Sequence, residues 1–512
     1  MIAGMKNTML CLAAAAALCS FSLEAKVDLG VPFADGAVLQ RGREVPVWGT
    51  ADPGAKVKVS FAGMTREATA GADGKWCVKL GAMGACCEGR TLSAESGGAV
   101  ASAKDVLVGE VWFCSGQSNT EMPLCGSNPH FRDAKGAMRA GMTRKPLIRF
   151  CCQSNYRTSV EPKKTAALPV VWRKFTPENL RNPSFSAMGV YFAIALYNAL
   201  DVPIGIVGSY WGGTNIDAWT PREGYAGAPE SIRETAERKV VGPGEWNDSM
   251  KKGPVGGPNQ QPTVLWNEMV APWCPMTMKG FIWYQGCHNG GEAHLYCDKM
   301  HALYRGWSAK FENPALRLYF VQLAPWEHSW WNLQMAQAKF AAEEPNAALV
   351  TSVDVGNNYD IHPADKGPLG RRLAALALRR DYGFTSLVAD APTVSSVKTD
   401  GDKLVLTFDN ADGWYVYNAD WGVDVPFEIA GEDGEYRPAR VVNANDGAEK
   451  REPWKTKGIV KGKAIVLAAE GVASPTKVRY LFQRPWNGNL FATSGLPLGP
   501  FEACADGCTE KK

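Results

Sequence analysis

The sequence predicts an α/β protein: a parallel sheet with helices on both faces, set between two β-rich segments. Between about Asp105 and Gly383, continuous apolar runs of strand length alternate with helical stretches, the pattern of a parallel sheet covered on both sides. On either side of that interval the text changes to short alternating strands punctuated by Gly, Asp, Asn and Pro, as in antiparallel sandwiches. A chain of 512 residues is also too long for one core, and roughly two to four domains are expected.

Residues 1–25 read as a secretory signal. Lys6 supplies the positive end, Met9 to Leu18 form a short apolar run, and cleavage is expected after Ala25. That run is too short to span a bilayer comfortably. Cys19 raises a lipid-anchor alternative, which Leu18 disfavours because a small residue is preferred before such a cysteine. A soluble exported protein, periplasmic or extracellular, is the expectation.

Residues 26–104 form the first β-rich segment. Val45 to Gly49, Lys56 to Phe61 and Lys75 to Leu80 alternate apolar and polar residues, separated by Asp52-Pro53-Gly54 and Ala72-Asp73-Gly74. Residues 105–383 hold the α/β text. Its strands are Val111 to Phe113, Pro203 to Ser209, Gly280 to Tyr284, Leu316 to Gln322 and Ala348 to Ser352. Its helices are Met188 to Leu200, Asn332 to Glu344 and Lys366 to Arg380. Residues 384–505 return to strands, among them Leu404 to Phe408, Phe427 to Ala430 and Lys477 to Phe482. No internal repeat stands out.

Composition narrows the function. Hydrophobic content of 46% and charged content of 21% describe a soluble globular protein. A net charge of +3, from 55 basic and 52 acidic residues, offers nothing to attract nucleic acid. Eighteen tryptophans supply candidate platforms for sugar rings, although most indoles fill cores. Signal cleavage removes Cys11 and Cys19 from the 14 cysteines, and export permits disulfides whose pairing spacing cannot reveal. The pairs Cys86-Cys87, Cys151-Cys152 and Cys504 with Cys508 make no four-ligand zinc pattern, so bridges or buried thiols are expected rather than a metal.

Four strand ends carry residues suited to chemistry. After Val111 to Phe113 comes Ser115-Gly116-Gln117-Ser118-Asn119, and a serine just past a strand's carboxyl end stands where open α/β sheets bind ligands. Ser118 is the candidate nucleophile, although an ordinary turn uses the same residue types. The second end gives Gly208-Ser209-Tyr210-Trp211-Gly212-Gly213-Thr214-Asn215, where paired glycines expose backbone N–H groups and a helix near Asn215 would add its dipole. The third gives Gln285-Gly286-Cys287-His288-Asn289, and the Asn289 amide is suited to the same oxyanion. The fourth contains Tyr359-Asp360-Ile361-His362-Pro363. Pro363 biases His362 toward extended backbone, so Asp360 and His362 share a side, as an orienter and a base for a serine require.

Among the six histidines, His130, His288, His294, His301, His328 and His362, only His288 rivals His362, and it has no carboxylate at a useful spacing. His288, His294 and His301 cluster without a compelling ligand pattern, so a metal hydrolase is disfavoured and no cofactor is expected. The G-x-S-x-G elbow is absent, because Thr120 holds its last position, and no Walker loop is present.

These motifs together resemble the SGNH hydrolases, and within them the sialate O-acetylesterase family. The matching text includes Val45-Pro46-Val47-Trp48-Gly49, Gly116-Gln117-Ser118-Asn119, the run from Phe185 to Gly189 and that from Gly208 to Thr214. Trp283-Tyr284-Gln285-Gly286, the run from Tyr319 to Pro325 and Asp360-Ile361-His362-Pro363 continue it. The resemblance implies a flavodoxin-like three-layer α/β/α core with attached sandwich-like β-domains, and removal of O-acetyl groups from sugars. It implies Ser118 as nucleophile, His362 as base and Asp360 as orienter, with Asp354 in reserve. The Ser118 amide, Gly213 and Asn289 would form the oxyanion hole. Gln117, Trp211, Gln285 and His288, on the same loops, are expected to contact substrate. The expected partner is an O-acetylated sialoside; acetylated plant polysaccharide, or glycan binding by an inactive relative, are the alternatives. Where the family usually reads Gln-Gly-Glu, a small residue and Asn, this chain places Cys287 and His288 before Asn289.

Overall fold

The computed structural model describes residues 25–124, 146–181, 184–246, 257–327, 330–356, 359–416, 425–444, 458–482 and 488–506. The signal segment up to residue 24, with Cys11 and Cys19, lies outside the described residues, as do His130, His328 and Cys508.

The organising strand is β1, Ala99–Gly116, 18 residues long. Its first half pairs antiparallel with Cys86–Ser96 of the N-terminal β-rich segment. Its second half is the centre of a parallel sheet. There β1 lies between β4 (Ile204–Tyr210) and β5 (Gly280–Tyr284), with β2 (Ile148–Cys152) outside β4, and β6 (Arg317–Val321) and β7 (Ala347–Val350) beyond β5. A two-residue strand, β3 (Arg173–Lys174), adds antiparallel to β2 at one edge. The expected boundary at 104/105 therefore falls inside one continuous strand. The apolar residues on either side of it, from Val27 to Ala389, join in a single core.

Side-chain alternation along β1 directs neighbours to opposite faces of the sheet. Trp112 meets Phe192 of α2 (Ala187–Leu200), ring centroids 5.1 Å apart, while Phe113 meets Trp307 of α3 (Ala293–Lys310) at 5.4 Å. Helices thus cover both sides. α2 is apolar around most of its circumference because it is wedged between the sheet and α5 (Gly367–Asp381). The Ser186 hydroxyl caps its start by accepting the Gly189 N–H at 3.2 Å. On the other face α3 packs beside α4 (Trp331–Glu343).

The C-terminal residues build a seven-stranded antiparallel sheet from Thr393–Asp400 to Phe501–Cys504, beside a three-stranded one centred on Gly413–Val416. This region has its own apolar core, which includes Leu404, Phe408, Trp414 and Tyr480. Cys114 and Cys151 are buried free thiols, each pushed up to about 12 chiefly by desolvation. Among the described residues no helix is long and apolar enough to cross a membrane.

Trp112 is fully buried, stacks on Tyr319 with ring centroids 5.7 Å apart, and donates its indole N–H to Tyr382 Oη at 3.2 Å. Trp112→Ala is expected to cost about 3–5 kcal/mol of unfolding free energy, read from urea titration of the two proteins.

Candidate active site

Three parallel strands end at one level. Gly116 of β1 is in register with Tyr210 of β4 on one side and Tyr284 of β5 on the other, so the loops after all three open on the same edge of the sheet. The chain after Gly116 turns into a one-turn helix, α1 (Ser118–Glu121), in which Ser118 is partly exposed while Asn119 and Thr120 are buried. The Gln117 N–H donates to the Tyr284 carbonyl at 3.1 Å and fastens the turn to the end of β5.

The loop that follows β7 brings its histidine to this turn. His362 Nε2 lies 2.9 Å from Ser118 Oγ, and His362 Nδ1 lies 3.2 Å from Asp360 Oδ1. The same carboxylate oxygen accepts the His362 backbone N–H at 2.9 Å, which locks the short Asp-x-His turn. An Nδ1–H facing Asp360 leaves Nε2 as the acceptor for the serine hydroxyl; this tautomer is assigned from the hydrogen bonding. Asp354 stands elsewhere, held by both nitrogens of the Arg372 fork at 2.8 and 2.6 Å, so its expected reserve role finds no geometry here.

The oxyanion candidates sit on the β4 and β5 loops. In place of a helix near Asn215 there is only a short 3₁₀ turn, Asp217–Trp219, capped by the Asn215 side chain on the Ala218 N–H at 3.0 Å. Gly212 packs against Ser118, and its N–H is engaged by Glu121 Oε2 at 2.6 Å. The next glycine, Gly213, is exposed with φ of +69°, and no atom stands within 4 Å of where its Cβ would be. Asn289 is buried and tightly held: its Oδ1 accepts from the Ile216 N–H at 3.0 Å and from Gln285 Nε2 at 2.7 Å, and its amide nitrogen donates to Glu292 at 3.1 Å.

Of the four expected substrate contacts, two face inward. Gln117 is buried and accepts the Gly286 N–H at 3.0 Å. Gln285 is fully buried, donates to the Thr214 carbonyl at 3.0 Å and accepts the Tyr296 hydroxyl at 2.7 Å. Both amides are spent holding loops together, because a buried polar group must find its partners inside the protein. Trp211 and His288 remain at the surface; Trp211 meets Tyr156 edge-on with centroids 5.4 Å apart, and the Tyr156 hydroxyl donates to Glu121.

Two buried lysines, neither singled out by the sequence, brace the arrangement. Lys366 is 2% exposed; its ammonium donates to Asn119 Oδ1 at 2.8 Å and to the Pro363 carbonyl. Asn119 in turn donates to the Ile361 carbonyl at 3.0 Å, so one amide and one amine bind the nucleophile turn to the histidine loop. Burial brings the Lys366 pKa down to about 7, against the opposing pull of Asp360, Cys287 and Asp365. Lys299 is buried as well, 2.7 Å from both Asp217 and Glu292. Burial alone would lower its pKa, but the two carboxylates hold it above the usual lysine value. That pair of carboxylates links the β4 loop to the Asn289 turn.

A family model for carbohydrate esterases of the sialic acid-specific acetylesterase type matches residues 249–379. The crystal structure of a carbohydrate acetylesterase from Xanthomonas citri is 32% identical and superposes with a TM-score of 0.76, over 93% of this chain and 99% of that one. The chain belongs to the carbohydrate acetylesterases. Sialate O-acetylesterases of Rattus norvegicus and Homo sapiens are 29% and 28% identical to it, over 60% and 59% of this chain. The chain matches 63% and 59% of their lengths, about three fifths of each. The family model begins well after Ser118 and ends after His362, so it spans the Asn289 and histidine loops of this carbohydrate acetylesterase but not the serine turn.

Lys366→Met removes the donor that joins the two loops. Labelling of Ser118 by a fluorophosphonate, followed by mass spectrometry, is expected to slow on the order of 10²-fold, the effect of misplacing a reacting group by about 1 Å. The stability readout has a definite sign. Between a folded pKa of about 7 and the ordinary 10.5 the unfolded chain binds more protons at this group, so Lys366 makes the parent gain stability as pH rises through that window. The difference between parent and variant should follow that slope. Lys299→Met strands the buried Asp217 carboxylate and leaves the half-buried Glu292 without its partner, and is expected to cost about 3–5 kcal/mol in denaturant unfolding.

Proposed function

We propose that the protein is a serine-dependent carbohydrate O-acetylesterase, with O-acetylated sialic acid as the preferred substrate and a flavodoxin-like SGNH core as the scaffold. The observation that carries this reading is the 2.9 Å contact between Ser118 Oγ and His362 Nε2, with Asp360 on the far side of the ring. A hydroxyl, a base and an orienter in line are the parts needed to make an alkoxide-like nucleophile at neutral pH.

In the proposed reaction Ser118 Oγ attacks the acetyl carbonyl carbon as His362 Nε2 takes the hydroxyl proton. The carbonyl π pair moves onto oxygen, which the Ser118 and Gly213 N–H groups and the Asn289 amide stabilise. When the pair returns, the bond to the sugar oxygen breaks and His362 passes its proton to that oxygen. Water then adds to the acetyl-serine by the same route, with His362 as base, and acetate leaves. Asp360 stays ionised throughout and stabilises the imidazolium.

The Trp211 and Tyr156 rings beside the serine turn support a sugar substrate, because flat apolar rings with polar edges suit the faces of pyranose rings. The reading includes export, motivated by the signal-like first 25 residues, and places the reaction in the periplasm or outside the cell.

Ser118→Ala is expected to lower acetate release by at least about 10³-fold while leaving the protein folded. Asn289→Ala is expected to lower kcat on the order of 10²–10³-fold. Acetate measured from a 9-O-acetyl sialoside and from acetylated xylan tests the substrate: faster release from the sialoside supports the proposal, and faster release from xylan reassigns the enzyme to plant polysaccharide. Parental turnover by the Ser118→Ala variant would remove the mechanism, and glycan binding without turnover by the parent would make it a lectin-like relative.

A further inference from the structure

A thiol, an imidazole and a carboxylate meet where α3 packs on α4, on residues the Ser118 site does not use. Cys297 and His301 are four residues apart on α3 and share one face of it; Glu343 reaches them from the last turn of α4. Glu343 Oε2 lies 3.4 Å from Cys297 Sγ and 3.0 Å from His301 Nε2. All three donor atoms lie within 4.8 Å of one another. The His301 ring stands edge-on to Phe340, centroids 4.8 Å apart, which steadies the ring with Nε2 toward the carboxylate.

We propose that Cys297, His301 and Glu343 form a zinc-binding site that staples α3 to α4, with its fourth position open to water. Zinc with sulfur at about 2.3 Å and nitrogen and oxygen at about 2.0–2.2 Å sets neighbouring ligand atoms about 3.2–3.6 Å apart in a tetrahedron. Two of the three edges already stand close to that spacing, and the Cys297–His301 edge is the one that must close. The donor set selects the ion: a thiolate and an imidazole suit zinc, whereas magnesium and calcium take oxygen. On binding, the Cys297 S–H proton leaves to solvent, a sulfur–zinc bond forms, and the metal keeps its oxidation state. Lys339 pairs with the other oxygen of Glu343, Oε1, at 3.8 Å and is largely exposed, so its charge stays off the Oε2 face that Cys297 and His301 share.

The staple sits behind the active-site scaffold without entering it. The turn carrying Asn289 runs directly into α3, and Gln337 of α4 donates to the Gln285 carbonyl at 3.2 Å. Zinc there stabilises the support of the β5 loop and leaves the esterase groups untouched.

Cobalt(II) reports thiolate ligation directly. Titrated into the reduced full-length protein, it is expected to give a thiolate-to-cobalt charge-transfer band that saturates at one equivalent and is displaced by zinc. Cys297→Ser should abolish the band. His301→Ala, at a partly exposed position that leaves the fold intact, should weaken cobalt binding at least about tenfold. Zinc should raise the unfolding midpoint of the parent and not of either variant, with acetate release unchanged. Absence of the band in the parent overturns the proposal. So does a band undiminished in His301→Ala, which would assign the metal to other thiols such as the exposed Cys77 and Cys87. Should Cys297→Ser fail to fold, the His301→Ala arm decides alone.

Discussion

The carbonyl oxygen of Tyr284 is where the site is held together. It accepts the Gln117 N–H and, at 3.0 Å, the Thr120 hydroxyl, so the whole nucleophile turn is pinned to the last residue of β5. The approach leaves no room for a side chain at Gly116: a Cβ there would stand 2.3 Å from the same oxygen, and the residue's φ is +139°. Glycine is required on both counts. Because the turn cannot rise from the sheet, Ser118 Oγ has a fixed height above the strand ends, and the histidine loop has a fixed target. Everything else at the site positions a group relative to that one point.

The two buried lysines do this in opposite electrostatic regimes. Lys299 sits between Asp217 and Glu292, and in that company the charged form is favoured despite burial. The pair-plus-one arrangement fixes Glu292, which accepts the Asn289 amide, so the orientation of Asn289 is set by buried charge. Lys366 is surrounded instead by neutral acceptors, the Asn119 amide oxygen and the Pro363 carbonyl, and makes no ion pair among the described residues. A neutral amine still has two hydrogens, enough for both acceptors, so the clamp survives loss of the proton while the field at Asp360 changes. Geometry and charge are thereby separable in this half of the site.

How much of this the sequence disclosed follows from what a linear text can encode. Strands β4, β5, β6 and β7 were legible because apolar runs of four to seven residues admit few other readings, whereas β2, with Arg149 inside it, was not. Ser118 stood out because it follows a strand end, and Asp360 with His362 because they lie two residues apart, while the meeting of Ser118 and His362 across 244 residues is the work of the fold. Lys366, Lys299 and Glu121 did not stand out. Their partners lie 247, 82 and 91 residues away, and a lysine or glutamate in a helix or turn reads first as a solvated charge. Gln117 and Gln285 misled for the related reason that polarity beside a motif suggests contact with ligand; only the packing reveals that their amides complete the interior. The boundary at 104/105 falls within β1, because the change from alternating to continuous apolar text marks where that strand becomes covered on both faces.

The substitution at Cys287 has its physical meaning in this framework. Its thiol is buried enough to be pushed up to about 12, so it is neutral at any pH the enzyme meets. It lies within electrostatic reach of Lys366. A carboxylate at this position would be a counter-charge beside a buried amine and would favour its protonated form. At Lys366 burial outweighs the pull of its acidic neighbours, and the pKa falls to about 7. The residue at position 287 therefore bears on the Asp360–His362 loop through the charge state of Lys366, whose amine joins that loop to Asn119.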